Sequence, residues 1–168
     1  MNGPALSASR LTLRPIEDRD LEIIRNWRNS PGVSDWLFSG PQEITETQQR
    51  AWYGGYAEDE TQMRWVIDTQ LAGPIGVIGV TSLKGWHGSL TIFIGDPAAR
   101  RMGYGYEALT RLCAWLWGRA RTKRLIAELY ADNKAAKRLY EKAGFHFVAP
   151  AEEQNGRAVI IMEKQICG

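Results

Sequence analysis

The six residues Arg100-Arg101-Met102-Gly103-Tyr104-Gly105 join two arginines to two closely spaced glycines. Those residue types suit a bound phosphate, since glycine lets the backbone approach a bulky anion and arginine adds positive charge. The preceding run Leu90-Thr91-Ile92-Phe93-Ile94 reads as a strand, ended by Gly95-Asp96-Pro97 because proline cannot donate to a ladder. Downstream, Leu109, Leu112, Cys113 and Leu116 fall at i, i+3, i+4 and i+7, one face of a helix. The glycines therefore lie between a strand and a helix N-terminus, where unpaired amides and the helix dipole favour an anion. The loop lacks the Gly-Lys-Ser/Thr ending of a Walker loop. It is no dinucleotide fingerprint either, because Ala108 stands where the third glycine would be. An ordinary strand-to-helix turn would use the same glycines, so this stretch alone leaves both readings open.

Two further residues could move protons. Glu128 is the charged residue in the apolar run Leu125-Ile126-Ala127-Glu128-Leu129. It is either a base facing a substrate or part of a solvated strand face. Tyr140 lies in Asn133-Lys134-Ala135-Ala136-Lys137-Arg138-Leu139-Tyr140, followed by Gly144-Phe145. Its phenol is either a proton donor or a packing group with a structural hydrogen bond. His87 and His146 have no partner pattern. Cys113 falls on the apolar helix face and Cys167 next to the end, which supports neither a disulfide framework nor a metal site.

The remaining elements follow from pattern and punctuation. Residues 10–14 alternate as a first strand that Pro15 ends. Asp18 reads as the cap of a helix to about Asn29, stopped by Ser30-Pro31-Gly32. An aromatic loop with Trp36, Leu37 and Phe38 comes next. Thr45-Glu46-Thr47-Gln48 has capping-box spacing, so a second helix starts there and runs to about Tyr56. Strands are expected over 64–68, 75–83, 90–94, 125–130, 145–148 and 158–162, with helices after 105 and over 133–142. Gly76 and Gly79 weaken the second of these strands. Gln154-Asn155-Gly156 reads as a hairpin turn. This order gives an α/β or α+β sheet with helices on its faces.

The chain has 168 residues, 44% hydrophobic and 24% charged, which fits one globular domain over 1–168. Residues 1–9 carry no secretory pattern and are expected to form a disordered lead. A net charge of +2 is too small to argue for nucleic acid, and no apolar run is long enough to span a membrane. With two cysteines and no leader, a reducing cytoplasm is expected.

The second segment decides between the two readings of the loop. Asn133, Ala136, Leu139, Tyr140, Gly144 and Phe145 match the Asn-x-x-Ala-x-x-Leu-Tyr-x-x-x-Gly-Phe pattern of the GNAT family of acetyl-CoA-dependent N-acetyltransferases. Arg100, Gly103 and Gly105 match that family's Arg/Gln-x-x-Gly-x-Gly/Ala loop. The chain thus resembles the family from about Arg10 to Lys164. The resemblance implies a mixed, mostly antiparallel sheet of about seven strands with four helices on its faces. It implies acetyl-CoA as co-substrate, no metal, and a small-molecule amine acceptor, and it leaves a homodimer open. Its cofactor contacts would be Phe93, Ile94, Arg100, Arg101, Met102, Gly103, Tyr104, Gly105, Asn133 and Lys137. The amides near Phe93 and Ile94 would stabilise the thioester oxyanion, where this family splays its sheet. Tyr140 would protonate the leaving sulfur, and Glu128 is the best candidate for the base.

For the acceptor, Arg25-Asn26-Trp27-Arg28-Asn29 and the helix Gln48-Gln49-Arg50-Ala51-Trp52 resemble acetyltransferases acting on UDP-linked 4-amino sugars, as in pseudaminic acid synthesis. That resemblance makes Arg25, Trp27, Arg28, Trp36 and Trp52 substrate-binding candidates, although Trp27 alone would also suit a core. Two alternatives remain at this level. One is a ribosomal-protein-type N-terminal acetyltransferase. The other is a non-catalytic acetyl-CoA-binding domain, against which Tyr140 argues.

Overall fold

The computed structural model describes residues 3–118 and 122–165, so Cys167 lies outside the described residues. The strands are β1 (Leu6–Ser7), β2 (Leu11–Pro15), β3 (Met63–Thr69), β4 (Gly73–Lys84), β5 (His87–Ile94), β6 (Arg124–Tyr130), β7 (His146–Gln154) and β8 (Arg157–Gln165). They form one sheet in the order β1-β2-β3-β4-β5-β6-β8-β7. All neighbours are antiparallel except β5 and β6. Helices α1 (Leu21–Asn29), α2 (Pro31–Ser34) and α3 (Glu46–Glu58) pack on one face, and α4 (Tyr104–Gly118) and α5 (Lys134–Lys142) on the other. The parallel pair arises because α4 is the crossover between β5 and β6, and a crossover of that length returns the chain in the same direction.

Period-two alternation builds two cores. On β3, Met63, Trp65 and Ile67 bury against α4 and α5, while Val66 joins Ile16, Ile24, Trp27 and Tyr56 on the other side. Gly76 and Gly79 do not interrupt β4. A Cβ at Gly76 would run into the Phe93 carbonyl, so glycine allows the close β4–β5 approach. The Gln154–Arg157 turn has Asn155 and Gly156 both at positive φ, the geometry of a two-residue hairpin turn. Thr45 and Gln48 cap α3 reciprocally, as their spacing predicts.

The chain departs from the sequence expectation at its start. Residues 3–9 form no disordered lead: Leu6 is buried on β1, and Trp65 Nε1 donates to the Pro4 carbonyl at 2.9 Å. A two-residue strand is too short for an alternation signal, and its ordering depends on Trp65, distant in sequence. Asp18 does not cap α1. A 3-10 turn over Asp18–Asp20 precedes that helix, and Glu17 with Asp20 forms its capping box. Asp20 is held there by Arg14, which bonds both its carboxylate oxygens at 2.8 Å. Pro15 is the last residue of β2 rather than the one after it.

Candidate active site

Strands β5 and β6 pair only from His87↔Arg124 to Ser89↔Ile126. Beyond that point β5 stays with β4 and β6 with β8, and among the described residues no strand fills the space between them. The gap opens into a cavity of about 890 Å³ whose wall includes Phe93, Ile94, Gly103, Glu128 and Tyr140. The two proton-transfer candidates and the glycine loop thus share one cavity.

The glycine loop ends at the N-terminus of α4. Glu107 makes the helix's first backbone bond, to the Gly103 carbonyl at 3.1 Å, so the amides of Tyr104, Gly105 and Tyr106 precede the ladder. Gly103 holds φ +81 and Arg101 φ +62, so the loop curls back upon itself at two left-handed positions. Gly105 lies against Leu139 of α5, where an added Cβ would be in ordinary contact at 3.5 Å. The donor set fits a pyrophosphate: unpaired amides, a helix N-terminus and the exposed Arg101 on the cavity wall.

Arg100, expected as a cofactor contact, also makes contacts within the protein. Its Nε donates to the Ile94 carbonyl at 3.1 Å and its Nη2 to the Gly95 carbonyl at 3.4 Å. It therefore ties the loop to the end of β5 as well as lining the cavity. Met102 is 52% exposed and does not line the cavity, nor does Lys137, whereas Asn133 does. The Asn133 side chain caps α5 by accepting from the Ala136 amide at 3.2 Å.

A residue the sequence reading missed shapes this loop. Arg10, just before β2, donates through its amide and Nε to Glu107 at 2.6 and 2.7 Å. Its Nη1 reaches the Met102 carbonyl at 2.9 Å, and its guanidinium covers the Tyr104 ring at 4.4 Å. The contacts span more than ninety residues of chain, so no local pattern marks them. Arg10→Ala is expected to weaken coenzyme A binding about tenfold, or ~1.4 kcal/mol, a charged hydrogen bond discounted for solvent exposure. Calorimetry checks this, and unchanged affinity would remove Arg10 from the site.

Strand alternation selects the amides that face the gap. Gly95 donates to Ile75 at 2.8 Å, and the Phe93 carbonyl faces Gly76, so odd-numbered peptide groups of β5 point toward β4. The Trp86 carbonyl accepts from Lys123 and Arg124 on the β6 side, and the Ile94 carbonyl meets Arg100. The amides on the open edge are therefore those of Ile92 and Ile94. Phe93, named with Ile94 from the sequence, turns its amide to β4 and its side chain to the α1–α3 face.

Tyr140 is 4% exposed and packs edge-on against Phe145 at 5.2 Å. Its hydroxyl has no hydrogen-bond partner among the described residues, although the side chain lines the cavity. Burial, reinforced by the neighbouring Cys113, raises its pKa above the usual tyrosine range. The Cys113 thiol is itself pushed up to about 12 by burial, slightly opposed by Lys164, which makes it a poor nucleophile. Glu128 is exposed into the cavity, with Leu125, Ala127 and Leu129 alternating into the opposite core.

The far wall is formed by α1, α3 and the loop after α2. Arg28, Trp36 and Trp52 line the cavity, joined by Arg64 of β3. Arg25 does not: it lines a smaller recess with Glu22 and Arg50 on the outside of α1. Trp27 is core, 8% exposed and packed so tightly on Gly95 that a Cβ there would enter its ring. The aromatic loop is pinned from a distance. Asn155 donates to the Phe38 carbonyl at 3.0 Å and to the Tyr130 hydroxyl at 2.8 Å. Arg157 donates to the Asp35 carbonyl at 2.6 Å and covers the Tyr130 ring at 3.8 Å. Among the described residues no group of His, Cys, Asp and Glu could hold a metal ion, and no helix is long and apolar enough to cross a membrane.

The model of the acetyltransferase (GNAT) domain family matches residues 10–146. The spermidine N(1)-acetyltransferase of Vibrio cholerae is 24% identical over 138 residues, which cover 82% of this chain and 79% of that protein. Its structure in complex with CoA and spermine superposes with a TM-score of 0.84 at 21% identity, covering 94% and 96% of the two chains. The ribosomal L7/L12 alpha-N-protein acetyltransferase RimL, solved with coenzyme A, gives a TM-score of 0.85 at 16% identity over 96% and 98% of the chains. The microcin C7 self-immunity acetyltransferase MccE, solved with acetyl-CoA and AMP, gives 0.82 at 15% identity over 95% and 94%. At these identities the structural likenesses speak for the fold.

Proposed function

The chain belongs to the GNAT acetyltransferase family and is an acetyl-CoA-dependent N-acetyltransferase, and from that premise we propose how its residues act and which amine it acetylates. The observation that carries the proposal is the gap between β5 and β6, with Tyr140, Glu128 and the glycine loop on one cavity wall. Acetyl-CoA supplies the acetyl group as an activated thioester. The amides at the start of α4 hold its pyrophosphate, and Arg101 adds charge there. The Ile92 and Ile94 amides receive the negative charge that develops on the thioester oxygen. Glu128, directly or through water, takes the proton that the acceptor nitrogen loses as it bonds the acetyl carbon. Tyr140 gives its proton to the sulfur as the carbon–sulfur bond breaks, and is reprotonated from solvent.

The acceptor in this proposal is the primary amine of a UDP-linked sugar, at the sugar's 4-position. Support comes from Trp36 and Trp52, which give flat apolar surface for a base, and from Arg28 beside Trp52. MccE, which shares this fold, was solved in complex with acetyl-CoA and AMP. A second reading, acetylation of a peptide N-terminus, is favoured by the fold match to RimL over nearly the whole of both chains. The test is kcat/KM by thiol release for a UDP-4-amino sugar, the same sugar without UDP, spermidine, and peptides beginning with Ser or Ala. The UDP form is expected to lead by at least a hundredfold, ~2.7 kcal/mol of transition-state binding. Faster turnover of the peptides would transfer the assignment to the second reading, and spermidine leading would overturn both.

A further inference from the structure

Arg28 and Arg64 stand on the cavity wall with their guanidiniums over one Trp52 indole, at 5.1 and 5.4 Å. Neither pairs with a carboxylate among the described residues. Arg28 gives one Nη1 proton to the amide oxygen of the buried Gln49 at 2.7 Å. Arg64 gives its Nε and Nη2 to Gln62 at 3.3 and 3.2 Å. The Nε and Nη2 of Arg28 and the Nη1 of Arg64 have no protein acceptor among the described residues. None of these nitrogens is sealed away in the interior, and both side chains line the cavity. Burial lowers the pKa of both arginines, and the charge of Arg28 lowers that of Arg64 further. Two like charges, half-buried, adjacent and uncompensated, are an unfavourable arrangement unless something negative joins them. Glu128 is the single acid on the cavity wall among the described residues, against six arginines and lysines.

We infer that Arg28 and Arg64 form an anion-binding pair that holds an acidic oxygen group of the acceptor, a phosphate or a carboxylate, against the Trp52 wall. The inference rests on the proposal that the acceptor enters from the α1–α3 side, and goes beyond it by fixing what the acceptor carries besides its amine. A guanidinium offers two parallel N–H donors to either oxyanion, and the indole limits the approach to one side. Gln49 and Gln62 orient the two forks through neutral amide oxygens, so the positive charge is kept for the ligand. A bare polyamine, which brings only cations, is excluded from this wall by like-charge repulsion.

The experiment titrates anions that cannot react. Full-length protein saturated with coenzyme A, so that the pyrophosphate loop is filled, is titrated calorimetrically with UDP, inorganic pyrophosphate and glutarate. Wild type is compared with Arg64→Gln, Arg28→Gln and Arg64→Lys, each checked for fold by circular dichroism and for unchanged coenzyme A affinity. At least one anion is expected to bind wild type and to lose tenfold or more in affinity in both glutamine variants. Arg64→Lys, which keeps charge but not the fork, should retain part of the binding. Preference for UDP or pyrophosphate makes the bound group a phosphate, and preference for glutarate makes it a carboxylate. If none of the three binds wild type, or binding survives both glutamine substitutions, the inference falls, even where UDP-sugar turnover succeeds. Arginine-dependent binding of an anion with no turnover of the UDP sugar would uphold the pair and reject the proposed sugar.

Discussion

Tyr140→Phe is expected to lower kcat by ~10²–10⁴-fold, the usual contribution of a positioned general acid. The substitution removes one oxygen from a ring that is otherwise held by Phe145 and the surrounding core. The phenylalanine variant should therefore fold normally and keep its KM for acetyl-CoA. The hydroxyl bonds to no described residue, so its loss breaks no structural hydrogen bond. The pH dependence supplies a second check with a definite sign. Burial raises the Tyr140 pKa, so the phenol keeps its proton as pH rises through the ordinary tyrosine range near ~10. The wild-type rate should rise as the acceptor amine deprotonates and then hold level, with no alkaline fall arising from Tyr140. In the variant the plateau drops while the acid limb stays where it was. A kcat within a few-fold of wild type at every pH would make Tyr140 a packing residue and leave the sulfur to be protonated by water.

Gly103→Asp should abolish measurable coenzyme A binding, with an affinity loss of at least ~100-fold, or ~2.7 kcal/mol, while the fold is retained. Gly103 is at φ +81, a conformation aspartate adopts more readily than most side-chain-bearing residues. The new Cβ would meet only the far end of Arg10, whose Nη2 is 3.2 Å away. Both Arg10 and the α4 N-terminus favour a negative charge, so the carboxylate is locally welcome. It would, however, occupy the field and the amides that a pyrophosphate needs. Thermal unfolding near the wild-type midpoint, combined with lost binding, is the expected pair of results. Gly103→Ala separates the two effects, since it strains the same backbone without adding charge. Intact affinity in a folded Gly103→Asp protein would move the coenzyme's pyrophosphate away from this loop.

The two predictions act at the ends of one transfer. The loop positions the thioester, and the phenol completes its breakdown. The wedge between β5 and β6 brings them together, because a strand filling that space would occupy the cavity and pair the Ile92 and Ile94 amides.

What the sequence determined by itself was whatever depends on neighbours along the chain. The glycine loop before a helical face, the capping box at Thr45 and Gln48, and the Asn155-Gly156 turn each need only a few adjacent residues of the right type. The two family patterns around Gly103 and Tyr140 are local in the same sense, and were enough for the fold class, the enzyme class and the co-substrate. Tertiary structure decided which side chains meet. Trp27 and Trp52 are both tryptophans on helices, yet one fills the core over Gly95 and the other faces the cavity, because only the packing of α1 and α3 on the sheet sets which face is covered. Arg10 reaches Glu107 and Met102, and Arg64 reaches the indole that Arg28 also covers, across sequence separations that carry no periodic signal. Strand pairing likewise chose Ile94 over Phe93 as the amide on the open edge, since peptide groups alternate sides and only the partner strand says which side is occupied.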